Sequence, residues 1–536
     1  MSKLCLCLTS KTIERNLEIL NRYRKFIDLA ELRVDCLDPD ERLLIRRFPE
    51  LAGLPVILTI RRDIDGGYYT GGEGSRVRLF ARGLAFANAD RRFNFAYLDI
   101  EEDFDVPSLE EAARTFGTRI IRSCHILNGV IDEIPEKIRS MRHAGDEIIK
   151  VAVTVKSTSD VLHVYQSSKA CGNQDKILIC MGYYGIYSRI LAERFGSSIS
   201  YSSALSENEI PGASGQLDVK ELAELYRFRN ISGNTKIYGI VGFPLKSSIS
   251  PWFINTVFSL ENSDSVYVPF PADSISDFIQ LAEEMNVQGL SITVPYKESI
   301  LPFLNKNSAA VLSIGACNTI KRTEEGWFGE NTDCTGFSES LLNFLERKNL
   351  KWMKATIIGA GGVARAVAAE ISRLGGNAVI LNRSVHKAKN IASLYNFRWG
   401  GLDDHGVEMM AKFSDLIIQT TSVGMDGYES MEPQTDHQPK DSPNQRQDGS
   451  SSSHDPLEIY TFTGKEAVMD LIYSPQETAF LKRAAASGCR TMNGYDMVIR
   501  QACMQYTSFM DREIPQQLLS HINVSGANTW SRIRTG

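Results

Sequence analysis

Apolar and polar positions along the first 205 residues repeat one rhythm: a short β-rich run, then a stretch with helical spacing. The runs are LCLCL (4–8), LAELRVD (29–35), PVILTI (55–60), FAYLDI (95–100), RIIRSC (119–124), EIIKVAVTV (147–155), KILICM (176–181) and SISYSS (198–203). Every gap but one is long enough for a helix, which parallel strands require. Eight βα units in roughly 200–250 residues predict an α/β fold whose N-terminal part is a (β/α)8 barrel. A doubly wound open sheet is the alternative.

The pattern then changes. Residues 217–229 (LDVKELAELYRFR) read as an amphipathic closing helix, and polar residues 231–234 as a linker. From 236 onward strands and helices alternate again. Residues 355–384 (ATIIGAGGVARAVAAEISRLGGNAVILNRS) form a β-α-β pattern with glycines at its first turn, the arrangement that seats a dinucleotide pyrophosphate. Residues 426–456 are rich in Pro, Ser and Gln and nearly devoid of aliphatics, so they read as a disordered insertion or a plain surface loop. The predicted division is a barrel over 1–219, a linker with the closing helix end over 220–235, and a small substrate domain over 236–335. A Rossmann domain over 336–500 follows, then a C-terminal helical segment over 501–536.

Bulk properties narrow the partners. The 536 residues carry a net charge of −6, and nothing favours nucleic acid or an anionic membrane. Ten cysteines are scattered without a CxxC pair, which suits a reducing cytoplasmic setting and suggests no metal site. No stretch approaches the ~18 apolar residues of a membrane span. Small-molecule substrates are the expected partners; the oligomeric state is left open.

In a barrel the reacting groups stand at the C-terminal strand ends. Those positions here hold Glu31, Arg33, Asp35, Arg61, Asp65, Asp99, Glu101, His125 and Lys150, with Arg189 in the loop after the seventh run. Lys150 sits inside an apolar run, where desolvation lowers an amine's pKa and frees it to attack a carbonyl. His125, one run earlier, could act as general acid/base. Singly, each could equally be a strand-end lysine or a core histidine. ELRVD (31–35), TxRxxxDGG (59–67), SCH (123–125), IIKVAV (148–153), MG…GxxSR (181–189) and GQ (215–216) together resemble type I 3-dehydroquinate dehydratase over residues 1–219. That resemblance implies Lys150 as Schiff-base residue and His125 as general acid/base. It implies Glu31, Arg33, Arg61, Arg189 and Gln216 as the groups holding hydroxyls and carboxylate. Three positions depart from it: Asp65 for a glutamate, Ile126 for an acid, and Gly212 for a serine.

The glycine-rich turn is Gly359-Ala360-Gly361-Gly362-Val363, and the second strand ends in Asn382-Arg383-Ser384. An NAD site usually has an acid there; the Arg383 guanidinium suits a 2′-phosphate, which points to NADP. Four polar loops precede the turn, containing Ser248 and Ser250, Thr293 and Lys297, Asn318, and Asp333. Each alone is also ordinary turn and capping chemistry. Their order before GAGG, with TTSVGM (420–425), DLIYSPxxT (470–478) and GYDM…RQA (494–502), resembles shikimate dehydrogenase over 236–536. It implies Lys297 and Asp333 as the catalytic pair, and Ser248, Ser250, Thr293, Asn318, Tyr473 and Gln501 as substrate contacts. Thr421 and Gly494 join the turn residues at the cofactor. Ser247 replaces a usual histidine and Ser291 a usual asparagine. Together the halves resemble the bifunctional fusions of these two families, which dehydrate 3-dehydroquinate and reduce the product to shikimate.

Overall fold

The computed structural model describes residues 1–85, 89–172, 174–205, 207, 213–245, 248–425 and 455–522. They fall into two compact units, Met1–Tyr296 with the residues from Gln516 onward, and Lys297–Pro515.

All eight runs of the first 205 residues are strands: β1 Lys3–Leu8, β2 Leu29–Arg33, β3 Val56–Thr59, β4 Tyr97–Glu101, β5 Arg119–Ile126, β6 Ile148–Thr154, β7 Lys176–Met181 and β8 Ile199–Ser203. They pair in parallel in the order β7-β6-β5-β4-β3-β2-β1-β8, so the barrel reading holds over the open sheet. The two end strands meet through Ser198 N–H donating to Lys176 O at 2.8 Å and Leu178 N–H to Ser197 Oγ at 3.0 Å. Helices return the chain, each set by local chemistry. Thr12 accepts from Arg15 N–H ahead of Ile13–Tyr23, and Ser157 from Asp160 N–H ahead of Thr158–Ala170.

Successive side chains on a strand face opposite ways, so steps of two residues line the barrel interior. The bottom layer is apolar: Leu29, Ile57, Ile121, Ile148 and Ile177 are buried together with Cys5 and Cys7. Two residues further along β2 to β6 the same face turns polar, with Glu31, Thr59, Asp99, Ser123 and Lys150. The apolar floor is what fixes the height of the polar layer.

The closing helix expected over 217–229 is much shorter. The chain makes one wide turn at Glu221–Leu225, is broken at Arg227 (φ 50°), and resumes as a single turn at Phe228–Asn230. Arg227 donates to the carbonyls of Ser263 and Ser265, and those contacts hold the backbone out of helical geometry.

The first unit continues past the barrel with three parallel strands, β9 Lys236–Gly242, β10 Ser265–Pro271 and β11 Val287–Ile292, in the order β10-β9-β11. This small sheet packs on the barrel's helices. The buried rings of Tyr187 and Phe270 meet edge to face at 5.0 Å, and Asp273 accepts from Thr158 N–H at 2.8 Å and from its hydroxyl at 2.6 Å.

The second unit opens with β12 Lys306–Asn307, β13 Thr319–Thr323 and β14 Gly326–Glu330, the last two an antiparallel hairpin. A six-stranded parallel sheet follows: β15 Lys354–Ile358, β16 Asn377–Leu381, β17 Arg398–Gly400, β18 Leu416–Gln419, β19 Ala467–Asp470 and β20 Arg490–Met492. Its order, β17-β16-β15-β18-β19-β20, is the doubly wound dinucleotide-binding order, reversing direction between β15 and β18. Residues 426–454 of the polar insertion lie outside the described residues, as does Gly212. Beyond them Asp455 is ordered by Arg483, at 2.9 Å. No helix among the described residues is long and apolar enough to cross a membrane.

One buried ion pair ties the strands of the polar layer from outside. Arg122, fully buried on β5, donates to Glu147 at 2.7 Å, three residues before Lys150, and to Phe104 O at 3.1 Å. Burial opposes the Glu147 charge, but the hydrogen bond from Arg122 holds its carboxyl below the usual range. Glu147→Ala removes the nearer of the two carboxylates on the guanidinium, leaving Glu110 at 3.0 Å, and should cost about 1–3 kcal/mol. Denaturant unfolding of the variant reads this loss. Because the folded pKa is depressed, the wild-type advantage is present above about pH 4.5 and fades as pH falls through the folded value.

Candidate active sites

A cavity of about 230 Å³ opens at the C-terminal end of the barrel. Glu31, Arg33, Arg61, Asp65, His125, Lys150, Arg189 and Gln216 line it, while Asp35, Asp99 and Glu101 stand behind that lining. Lys150 is only 4% exposed, which rules out a solvated strand-end lysine. Nor is it the isolated cation its apolar run suggests. Its Nζ donates to Asp99 at 2.9 Å, lies 3.9 Å from Glu31, and sits 4.3 Å from the centre of the Tyr201 ring.

Asp99 organises the cations around it. It also accepts from Arg61 Nη2 and from Ser123 Oγ, both at 2.7 Å. Burial alone would raise its carboxyl, yet the Arg61 and Lys150 charges hold it well below the usual carboxylate range. Arg61 is shared with Glu101 at 2.6 Å. Gly67 makes room for this arginine: a Cβ there would lie 2.3 Å from Arg61 O and 2.5 Å from its Cγ. Arg33 is held by Asp35 at 2.7 Å, and Asp35 in turn accepts from Tyr68 N–H. Glu31 accepts from Thr59 at 2.9 Å and from Cys7 at 3.2 Å.

Three residues singled out in the sequence face the cavity with capacity to spare. His125 Nδ1 is buried and has no hydrogen-bond partner. Desolvation first, then the Arg61 and Lys150 charges, push its pKa well below the ordinary 6.5, so the ring is neutral at neutral pH and can take a proton. Arg189 is 3% exposed, and among the described residues its guanidinium donates only to carbonyls, Ser214 O at 3.2 Å and Tyr201 O at 3.5 Å. Burial lowers its pKa to about 10. A buried guanidinium without a carboxylate is a seat for an anion. Gln216 donates to Cys7, and its Oε1 is buried without a partner.

In the second unit Lys297 and Asp333 form a buried pair at 2.6 Å, 8% and 1% exposed. Asn318 Nδ2 donates to Asp333 Oδ1 at 2.8 Å, and its Oδ1 accepts from Thr332 N–H. Asp333 begins the helix Asp333–Leu345, where the helix dipole favours a carboxylate. Gln501 stands half-buried on the helix Tyr495–Met510, at whose contact with Asp333–Leu345 a Cβ on Gly336 would lie 3.5 Å from Gln501 Cβ. Gln505, four residues on, reaches Asn318 O and Thr319 Oγ1 at 3.3 Å. Tyr473 is half-buried just beyond β19.

The nucleotide turn lies where the sheet reverses. Gly359 has φ +114°, and a Cβ there would lie 2.4 Å from Thr420 Oγ1, so only glycine fits. Gly361 opens onto free space, and Gly362 starts the helix Gly362–Arg373 with its Cα against the Lys297 stem. Ala360 and Val363 pack on the sheet's core. Asn382 Nδ2 donates to Ser384 O at 3.1 Å and shapes the turn on which Arg383 is exposed. No carboxylate pairs with Arg383 among the described residues. An open cradle at a helix N-terminus beside an uncommitted guanidinium fits a dinucleotide with an extra phosphate. Thr421 stands after β18 and its hydroxyl accepts from Val423 N–H. Gly494 serves packing, since a Cβ there would lie 2.1 Å from Leu471 O.

Ser248, Ser250 and Thr293 belong to the first unit and lie on adjoining loops there. Ser250 N–H donates to Ser248 Oγ at 3.2 Å, and Gly242, ahead of them, leaves room for Thr293 Cγ2. Asp99 was visible as a strand-end acid, but nothing in the sequence marked it as the partner of Lys150. Tyr201 and Gln505 escaped notice altogether, since an aromatic within a strand and a glutamine on a helix read as core and surface.

Comparison with known proteins divides the chain between residues 233 and 240. The family model of type I 3-dehydroquinase matches residues 4–233, and that of the shikimate dehydrogenase substrate binding domain matches residues 240–320. The chloroplastic bifunctional 3-dehydroquinate dehydratase/shikimate dehydrogenase of Arabidopsis thaliana is 29% identical over 518 residues, 92% of this chain and 79% of its own. The NADP(+) shikimate dehydrogenase of Carboxydothermus hydrogenoformans is 32% identical over 300 residues, 54% of this chain and 96% of its own. A solved structure of dehydroquinate dehydratase and shikimate dehydrogenase from S. pombe is 22% identical, covers 97% of this chain and 98% of its own, and has a TM-score of 0.40.

The depressed His125 pKa is directly measurable. In a histidine NMR titration its resonance should shift with a midpoint clearly below 6.5; a midpoint at or above that value would contradict the electrostatics of the cavity.

Proposed function

The chain belongs to the shikimate dehydrogenase family and carries a type I 3-dehydroquinase domain ahead of it, and on that premise we propose how its own residues divide the work. It is a bifunctional shikimate-pathway enzyme, a 3-dehydroquinate dehydratase joined to an NADP-dependent shikimate dehydrogenase. The observation that carries the residue assignment is the gathering of Lys150, His125 and an unpaired Arg189 in one barrel cavity.

Lys150 is the nucleophile of the dehydratase. Its amine adds to the substrate ketone and expels the carbonyl oxygen as water, leaving an imine. Asp99 and Glu31 stabilise the positive charge that the imine nitrogen carries. Neutral His125 removes a proton from the carbon next to the imine and returns it to the hydroxyl that departs as water. A second water then releases the ketone product and the free lysine. Arg189 holds the substrate carboxylate, the anion that its burial without a partner calls for. Glu31, Arg33, Arg61 and Gln216 bind the hydroxyls and keep the cavity's charges in register.

In the dehydrogenase, Ser248, Ser250, Thr293, Asn318, Tyr473 and Gln501 bind the shikimate skeleton. NADPH, when bound, would supply the hydride that reduces the ketone carbon. As the carbonyl oxygen becomes an alkoxide, the Lys297 ammonium stabilises it and gives it a proton. Asp333 holds that ammonium at 2.6 Å, and Asn318 holds Asp333. The dinucleotide rests on Gly359-Ala360-Gly361-Gly362-Val363 and the loops of Thr421 and Gly494. Asn382, Arg383 and Ser384 take the 2′-phosphate. The domain limits of 1–219, 236–335 and 336–500 follow the two chemistries. All ten cysteines are unpaired, which supports a reducing, cytoplasmic location.

Borohydride added with 3-dehydroquinate should trap a covalent adduct on Lys150, located by peptide mass spectrometry. Lys150→Ala should lower dehydration by about 1000-fold or more while shikimate oxidation stays within about twofold. An untouched Lys150 peptide, or loss of both activities in a folded variant, speaks against the assignment. Arg383→Asp should raise KM for NADP by about 10- to 100-fold and leave KM for NAD nearly unchanged. Equal effects on both nucleotides would remove the 2′-phosphate role.

A further inference from the structure

Among the described residues, the barrel reaches the loop of Ser248 and Ser250 through a hydrogen bond from Leu245 to Tyr183. β7 ends at Met181, and the chain turns sharply through Gly182-Tyr183-Tyr184-Gly185. The turn is pinned on both sides. Gly182 has φ +90° and its N–H donates to Ser214 O at 3.3 Å. Gly185 lies so close to β7 that a Cβ would come within 2.3 Å of Cys180 O. From this fixed base the Tyr183 hydroxyl oxygen accepts the N–H of Leu245 at 2.6 Å.

Leu245 stands in the loop between β9 and the helix Ser250–Leu260, three residues before Ser248. Its position gives that single bond weight. Pro244 before it has no N–H, so Leu245 offers the first donor after Phe243, and a part-buried N–H left without a partner is costly. The neighbouring rings reinforce the contact. Tyr184 stacks on Phe243 at 5.7 Å with planes 9° apart, and Tyr183 meets Phe243 edge to face at 6.1 Å. Phe243 N–H donates to Val294 O at 3.0 Å, next to Thr293. The aromatic pair on the barrel therefore abuts the root of the loop carrying Ser248 and Ser250 and the loop carrying Thr293.

We propose that Tyr183, a barrel residue, is a positioning residue for the second reaction: its phenol oxygen holds the Leu245 backbone and thereby sets the serines that receive shikimate. This rests on the reading that Ser248 and Ser250 contact that substrate. The barrel is then a structural component of the dehydrogenase site as well as an enzyme in its own right. Tyr183 does not line the dehydratase cavity, so its hydroxyl can be removed without altering that reaction.

The test uses the full chain with Tyr183→Phe, Ser248→Ala and the double variant, measuring shikimate oxidation with NADP and dehydration of 3-dehydroquinate. Tyr183→Phe keeps the ring contacts and removes only the acceptor. It should raise KM for shikimate about 3- to 10-fold, with kcat, KM for NADP and the dehydration rate all within about twofold. Retained dehydration also reports a folded barrel. Ser248→Ala should raise KM for shikimate on its own, and the double variant should fall short of the product of the two, because one residue acts through the other. A Tyr183→Phe enzyme with wild-type KM, beside an impaired Ser248→Ala, overturns the proposal and leaves the substrate reading intact. So does a double variant whose effects simply multiply. A Ser248→Ala enzyme with wild-type KM overturns the reading and the proposal together.

Discussion

Asp99 sits where Lys150, Arg61 and Ser123 all need an acceptor, and the first site is built around that carboxylate. Charge taken out of water must be paired. The barrel meets the requirement by stacking layers. Its apolar floor excludes solvent, and the acids and bases one step higher neutralise one another at 2.6–2.9 Å. Lys150 is therefore held in a fixed place by its counter-ions before any substrate arrives. Two groups stand outside the balance, His125 with a bare nitrogen and Arg189 with a bare charge. The proposed chemistry draws on what the network does not consume.

The second site follows the same logic with fewer parts. Lys297 is held by Asp333, Asp333 by Asn318, and Asn318 by Thr332 N–H. A chain of fixed partners suits the proton-donating role proposed for Lys297. The nucleotide turn differs in kind. Its contribution is an absence of side chains at Gly359 and Gly361, with an exposed guanidinium close to the next strand's end.

Much of this was legible in the chain. Eight runs of β-rich sequence became eight strands, because alternation on a strand reports which face is buried. The residues lining the barrel cavity were legible because strand ends in a barrel all point to one opening. Partnership was harder to read. The apolar run around Lys150 suggested desolvation, yet its pairing with Asp99 arises from strand register 51 residues away. Likewise the amphipathic look of 217–229 predicted a long helix, but Arg227 found carbonyls at Ser263 and Ser265 and the helix ended. Local pattern cannot foresee a bond to a distant backbone. At Gly494 the shared sequence segment suggested a nucleotide contact, and the structure adds a packing reason for the glycine that no local pattern announced, its close approach to Leu471 O.

The seam between Tyr187 and Phe270 has a meaning for inheritance. Both rings are wholly buried, and Asp273 is tied to Thr158 beside them. The polar linker at 231–234 looks like a natural place for a gene to split. A break there would release two products, each with an uncovered aromatic face and an orphaned polar contact. Selection would then act against the halves even where both kept their chemistry. Once such a seam has formed, the two coding regions travel as one.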